Sequence, residues 1–225
     1  MQTFLPLYVK QIFHINKILR CFYFTFIPAL LFFGVSLLIL RLSGFSVVEI
    51  LRDPAQQSGA SSFIGFLSNT GIFLWISSLA ICLFSISNYK KKDNYKELLF
   101  LVGILSLLFA VDDFFMIHDR YLNEYICYLI YAVSASVLLI RHFKIIIEID
   151  GFAFLLACLL LALSIFTDVV QHILPVKLGY NAYDLVFYEY TQIFEEAFKF
   201  VGGATWLYFS HQISSYVLWK NNGNM

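Results

Sequence analysis

Residues 98–119 read LLFLVGILSLLFAVDDFFMIHD, an apolar run that ends in an acidic and histidine-bearing patch. A helix needs about 20 predominantly apolar residues to cross the hydrocarbon core of a bilayer. The stretch therefore predicts a membrane-spanning helix. Ionisable groups this close to hydrocarbon are costly and usually mark a working site, so the same stretch indicates where function lies.

The composition of the whole chain agrees with a membrane protein. Of its 225 residues, 60% are hydrophobic, 19% are aromatic and only 13% are charged, against about a quarter charged in soluble domains. The net charge is zero, which gives no indication of a nucleic-acid partner. The four cysteines lie singly in apolar runs, without a spacing typical of zinc or redox sites.

Length and apolarity predict six membrane spans in one all-α domain that covers residues 1–225. Residues 1–20 fit a basic interfacial helix, or simply a positive flank that fixes the topology. No secretory signal is expected, because the first span is too long for the apolar region of a signal peptide. The six predicted spans are 21–40, 63–88, 98–117, 125–140, 152–174 and roughly 192–219.

Lysines and arginines predict the orientation. With the amino terminus in the cytoplasm, ten basic residues fall inside, and only Arg41, Arg52, Arg120 and Lys177 fall outside. The positive-inside rule then favours both termini in the cytoplasm, in a bacterial inner membrane. The ten inside residues are Lys10, Lys17, Arg20, Lys90, Lys91, Lys92, Lys96, Arg141, Lys144 and Lys220.

This topology brings three polar patches to the outer leaflet, on the third, fifth and sixth spans. Helical spacing places Asp168 and His172 on one face, since they are four residues apart. Adjacent side chains point about 100° apart on a helix, so Asp112 and Asp113 should point in different directions. The patches are Asp112, Asp113, His118 and Asp119; Asp168 and His172; and Glu195, Glu196 and Lys199.

A divalent metal is one way to neutralise so many carboxylates. Two imidazoles with carboxylates suit zinc, manganese or iron, and the predicted ligands are His118, Asp168, His172 and Glu195. A metal-bound water acts as a nucleophile when a base accepts its proton. Asp113 is the candidate base, and Lys199 would stabilise an anionic group. The leading hypothesis is metal-assisted hydrolysis of a lipid or lipid-linked substrate.

Each patch also has a structural interpretation without chemistry. Glu195 and Glu196 are the type of residue that the positive end of a helix dipole favours in a first turn. His118 and Asp119 fit an outer loop beside Arg120, where charges are ordinary. Asp112, Asp113 and Asp168 are harder to explain in this way, because apolar residues follow each of them before the chain leaves the membrane.

The string from Asp112 to Asp119, with the later Glu195-Glu196-Ala197-Phe198-Lys199, resembles a group of uncharacterised bacterial polytopic membrane proteins. That resemblance implies no activity. A more distant likeness is to the membrane hydrolase superfamily of alkaline ceramidases and adiponectin receptors, which implies a zinc held by histidines and an acid. The present chain has six predicted spans and lacks the His-x-x-x-His of that superfamily's last helix.

Four other functions remain open from the sequence. A proton- or ion-coupled transporter would use the intramembrane carboxylates, although few polar residues continue the path inward. A retinal protein would use Lys199, and a dihaem carrier would pair His118 with His172 and His142 with His211. A non-catalytic sensor or subunit would use the charged patch to bind a ligand or partner.

Overall fold

The structure is a computed structural model that describes residue 9 and residues 12–51, 65–178 and 185–221, without the side chains of residues 119, 172, 174–178, 185–187 and 221. Half of the predicted interfacial helix, residues 1–8, 10 and 11, lies outside this description. All regular structure in the described ranges is helical. The elements are α1 Ile15–Cys21, a π-helical turn Phe22–Phe26, α2 Ile27–Leu42, α3 Val47–Leu51, α4 Phe66–Asn88, α5 Asn94–Phe115, α6 Ile117–Arg120, α7 Glu124–Leu178 and α8 Leu185–Asn221.

Four helical segments of the described chain are long and apolar enough to cross a membrane. They are Ile15–Leu42, Phe66–Asn88, Asn94–Phe115 and Glu124–Gln171. Large apolar side chains on their surfaces, such as Phe24, Leu31, Phe73 and Ile140, are exposed. This pattern suits helices surrounded by lipid rather than by water. The protein is therefore an all-helical membrane protein.

The predicted fourth and fifth spans lie in one helical run, α7, with a break in direction at each of two residues. His142 (φ −115°, ψ 19°) and Asp150 (φ −158°, ψ 77°) have non-helical backbone angles. Asp150 then caps the second half of α7, since its Oδ1 accepts a hydrogen bond of 3.1 Å from the amide of Ala153. Residues 143–149 contain no proline or glycine, so the connection stays helical where the sequence predicted a loop.

Helix α8 packs against both α7 and α4. Its Trp206 and Phe209 are buried beside Phe154 of α7, with ring centroids 6.0 and 5.1 Å from that residue. Two glycines allow the close approach: a Cβ at Gly202 would lie 3.1 Å from Leu161 of α7. A Cβ at Gly203 would lie 3.3 Å from Trp75 of α4.

The bundle has two chemically different ends. At the basic end, Glu97 pairs with Arg141 at 2.7 Å, and Lys17 donates to the carbonyl of Ile147 at 2.9 Å. At the other end, called the acidic end here, α5 finishes with Asp112 and Asp113. Glu97 and Asp112 are about 22 Å apart along α5 at about 1.5 Å per residue. That distance covers most of a hydrocarbon core of about 30 Å.

Candidate functional site: an acidic-end cavity

The end of α5 folds back on itself to pair Asp112 with His118. Met116 adopts a left-handed backbone conformation (φ 53°), which ends α5 and starts the short helix α6. The reversal brings the His118 amide to 2.9 Å from Asp112 Oδ1 and its Nδ1 to 2.7 Å from Oδ2. Asp112 is 6% exposed. A carboxylate bound to Nδ1 fixes the orientation of the imidazole and makes its Nε2 more basic.

Asp113 points to a different helix and forms an ion pair with Lys199 of α8. The Lys199 Nζ lies 2.7 Å from Asp113 Oδ1, and the Trp75 indole donates to Asp113 Oδ2 at 2.8 Å. Both carboxylate oxygens are therefore satisfied, by α8 and by α4. The two charges stabilise each other in this largely buried position, because either charge without the other would be costly there.

The third group joins α7 to α8 through an amide. Asp168 accepts hydrogen bonds from the Tyr128 hydroxyl and, at 2.9 Å, from Gln171 Nε2. The same Nε2 donates to Glu195 Oε2 at 2.7 Å. Thr191 in turn donates to Gln171 Oε1 at 3.2 Å. Gln171 is buried and acts as a bridge between two carboxylates on neighbouring helices.

These groups surround one cavity of about 70 Å³, which is large enough for a few water molecules. The wall of the cavity that faces the middle of the bundle is aromatic. Phe109 lies between Trp75 and Tyr131, with ring centroids 4.7 and 4.9 Å away. Just below, the Trp206 indole donates to Ser106 at 2.8 Å. The aromatic wall separates the polar cavity from the apolar middle of the bundle.

Charge in the cavity is unbalanced toward acid. Four carboxylates line it, against one lysine and one histidine: Asp112, Asp113, Asp168, Glu195, Lys199 and His118. Like charges at such distances cannot all remain ionised without compensation. Even with His118 protonated, two acids need a proton, a hydrogen-bonded neutral donor or a cation. The arrangement can hold and exchange protons, and it presents a cation, Lys199, to an anionic group.

Six of the nine site residues that the sequence predicted line this cavity: Asp112, Asp113, His118, Asp168, Glu195 and Lys199. Glu196 lies on the other side of the ion pair, in a void of about 10 Å³ with Asp113 and Lys199. The side chains of Asp119 and His172 lie outside the described residues. Asp112 and Asp113 do point in different directions, as the helical spacing predicted, and they contact different partners.

Three of the four predicted metal ligands are engaged with protein partners in this structure. Within the described side chains, no group of three or more His, Cys, Asp and Glu residues is arranged to hold a metal ion. His118 is bound to Asp112, while Asp168 and Glu195 both accept from Gln171. His172, the fourth predicted ligand, is not among the described side chains.

Sequence reasoning missed four residues that organise the site: Trp75, Tyr128, Tyr131 and Gln171. Tyr131 interacts with Asp112, and Tyr128 donates to Asp168. The two tyrosines are three residues apart on α7, so a helical wheel would have placed them on one face. Nothing in the sequence pointed to Trp75, because an indole in an apolar span is ordinarily a packing residue.

With this geometry established, comparison with known proteins identifies the family. A domain of unknown function, DUF8692, matches residues 26–213. The chain belongs to the DUF8692 family. The match covers α2 to α7 and α8 as far as Ile213, and it includes every residue of the acidic-end cavity. It agrees with the resemblance to an uncharacterised membrane family, and it gives no link to alkaline ceramidases or adiponectin receptors. Neither a curated protein nor a solved structure matches the chain.

Proposed function

We propose that this DUF8692 protein is a six-span membrane hydrolase that acts on a lipid or lipid-linked substrate at the outer leaflet of a bacterial inner membrane. The observation that carries the proposal is the pair Asp112 and His118 beside the pair Asp113 and Lys199 in one cavity. A carboxylate-oriented imidazole and a fixed ammonium are the parts needed to deprotonate water and to stabilise an oxyanion or phosphate.

In this proposal His118 is the general base and Asp112 orients it. When Nδ1–H donates to Asp112, the basic nitrogen of the neutral ring is Nε2. Lys199 interacts with the anionic part of the substrate. Asp113 was the base that the sequence suggested, but its ion pair with Lys199 and its bond from Trp75 favour a role in holding Lys199 instead.

A second form of this proposal includes a divalent metal ion, and the presence of the metal can be tested. It would be held by His118, Asp168, His172 and Glu195, once Gln171 and Asp112 release their partners, and would supply an activated water. Zinc, manganese and iron content per chain are to be measured for the wild type and an Asp168→Ala/His172→Ala double variant. About one metal ion per chain in the wild type, and none in the double variant, would support a metal site. Equal, negligible metal content in both proteins would exclude the metal site and leave acid–base chemistry as the mechanism.

Activity is testable with purified protein in vesicles of phosphatidylglycerol and phosphatidylethanolamine, with or without a polyprenyl pyrophosphate. Released fatty acid, headgroup and phosphate are measured by mass spectrometry. We expect His118→Gln and Lys199→Met to lower product release at least about 100-fold, the usual range for a lost acid–base group. Lys144→Met, at an exposed residue outside the cavity, is the matched control. Product release that is equal in His118→Gln and wild type would refute His118 as the base.

The orientation in this proposal has both termini in the cytoplasm. It is supported by the gathering of Lys17, Arg141 and Lys220 at one end of the bundle and of acids at the other. Fluorescent-protein and alkaline-phosphatase fusions after Lys220 test it. A fluorescent, phosphatase-negative fusion is expected, and active phosphatase at this position would reverse the topology and place the cavity inside.

A second candidate, a non-catalytic sensor of protons or cations, is favoured by the excess of carboxylates in the cavity. Buried hydroxyls below it, on Ser78, Thr205 and Ser210, bond to carbonyls of their own helices, which does not favour a transport path. A sensor would show thermal stability that depends on pH or divalent cations and disappears in Glu195→Gln, with no product released from any lipid.

A further inference from the structure

A second, larger cavity lies at the basic end, between the π-helical turn, α4 and α8. Its volume is about 730 Å³, within the range of about 300–1,000 Å³ that small-molecule sites occupy. Phe24, Phe32, Ile81 and Leu207 are among its apolar wall residues, and Arg20 and His211 lie at its polar mouth. It shares no lining residue with the acidic-end cavity.

The length of the cavity matches one leaflet of a bilayer. Along α8 it extends from Phe200 to Gln212, which is about 18 Å at about 1.5 Å per residue. This is about half of a hydrocarbon core of about 30 Å. The wall is apolar toward the middle of the bundle and polar toward the basic end. Phe24 and Arg20 are exposed, so the cavity opens sideways to the surrounding membrane.

Thr25 places an unsatisfied hydroxyl on the wall of this cavity. It is 4% exposed, and its Oγ1 has no hydrogen-bond partner among the described residues. Several other buried hydroxyls in the bundle either donate to the carbonyl four residues earlier, as Ser78 and Thr205 do, or are unpaired among the described residues like those of Ser85 and Ser214, which do not line this cavity. Leaving such a group unpaired and buried costs about 1–3 kcal/mol, unless a ligand accepts its hydrogen bond.

The backbone explains why Thr25 differs. It lies in the π-helical turn Phe22–Phe26, where the amide of Ile27 bonds to Phe22 five residues earlier. Pro28 follows and has no amide hydrogen, so the regular partner of the Phe24 carbonyl is missing. Widened turns of this kind occur frequently at functional sites. Thr25 lies in this turn and lines the cavity.

We propose that this cavity binds one anionic phospholipid from the leaflet at the basic end. The phosphate pairs with Arg20, the Thr25 hydroxyl donates to a glycerol ester carbonyl, and one acyl chain lies along the apolar wall. Arg20 and Thr25 are about 7 Å apart along the helix axis at about 1.5 Å per residue. Arg20 lies nearer the membrane surface and Thr25 lies deeper, as the phosphate and the ester groups of a phospholipid do. Clustered basic residues attract anionic lipids to this surface.

Native mass spectrometry of the full chain in a neutral detergent, titrated with phosphatidylglycerol and phosphatidylcholine, tests this proposal. We expect one tightly bound phosphatidylglycerol and much weaker phosphatidylcholine. Arg20→Gln should weaken phosphatidylglycerol about tenfold, as for one lost charge-assisted contact, and remove the preference. Ala204→Phe, which fills the cavity wall, should abolish the bound lipid.

Matched control variants distinguish a loss of the binding site from general effects of substitution on the protein. Lys144→Gln removes an exposed charge at the same end, and Ala132→Phe enlarges an exposed position of α7; both should bind phosphatidylglycerol like the wild type. Thr25→Ser keeps the hydroxyl and should retain binding, whereas the isosteric Thr25→Val should lose several-fold. Equal binding of both lipids, or unchanged binding in Arg20→Gln and Ala204→Phe, would overturn the proposal whatever the activity assay gives.

Discussion

Lys199 of α8 and Asp113 of α5 form an ion pair with an Nζ to Oδ1 distance of 2.7 Å, and their side chains are 28% and 8% exposed. The pair ties the last helix to the helix that carries the acidic patch. Trp75 of α4 completes the contact from a third helix. A single contact set therefore fixes the relative positions of α4, α5 and α8 around the acidic-end cavity.

The ion pair predicts strong coupling between its two members. Lys199→Met or Asp113→Leu alone should lower the free energy of unfolding by about 3 kcal/mol, because each leaves one buried charge without its partner. The double variant should lose clearly less than the sum of the two. Denaturant unfolding in detergent gives these values, with the exposed Lys144→Met as the control. Additive losses would show that the two charges do not interact in the folded protein.

The pairing of Asp112 with His118 predicts that Asp112 holds α6 in place. Asp112→Ala removes the acceptor of two hydrogen bonds and should destabilise the protein by about 2 kcal/mol. Amide hydrogen exchange at residues 117–120 should become faster. Asp112→Asn keeps one acceptor for the His118 amide and should have a smaller effect. Unchanged exchange in Asp112→Ala would mean that α6 is held by other contacts.

The close packing around the two glycines of α8 predicts that substitution by alanine lowers stability at these positions more than at an open glycine. A Cβ at Gly202 would lie 3.1 Å from Leu161 and 3.3 Å from Leu160, so Gly202→Ala should cost about 1–2 kcal/mol through overpacking. Gly34 of α2 has nothing within 4 Å of the same position. Gly34→Ala should therefore be neutral or should stabilise by up to about 1 kcal/mol. Thermal unfolding in one detergent compares the two, and equal shifts would contradict the close approach.

The bond from Trp206 to Ser106 predicts a smaller coupling at the centre of the bundle. Both residues are buried, and the Nε1 to Oγ distance is 2.8 Å. Ser106→Ala leaves the indole N–H unpaired and should cost about 1–2 kcal/mol. In a Trp206→Phe background the same change should cost about 1 kcal/mol less. A cost of Ser106→Ala that is the same in both backgrounds would argue against the bond.

Several local features were predictable because they depend on near neighbours in the chain. The 100° step between adjacent helical residues separated Asp112 from Asp113, and each does contact a different partner. Gly202 and Gly203 lack side chains, and adjacent residues of this kind allow a close helix approach. The loop predicted between the fourth and fifth spans is instead a kinked helical connection at His142 and Asp150, because apolar, helix-compatible residues continue across the gap.

The partners of the charged residues were not predictable in the same way. Gln171 bridges Asp168 and Glu195, and Trp75 binds Asp113, but neither residue type indicates by itself which carboxylate it contacts. The bridge explains why a shared face for Asp168 and His172 was not sufficient to predict how Asp168 is satisfied. Which side chain meets which depends on the rotation and depth of helices that are distant in sequence.

The sequence by itself determined that this is a helical membrane protein with an acidic cluster near one end of the bundle, because hydrophobic length and the cost of buried charge act on each segment separately. Only the tertiary structure decided that Asp112 pairs with His118, that Asp113 pairs with Lys199, and that Thr25 faces a second cavity without a partner. These relations follow from helix packing and from the reversal at Met116. Both depend on contacts between distant segments, which no single stretch of sequence encodes.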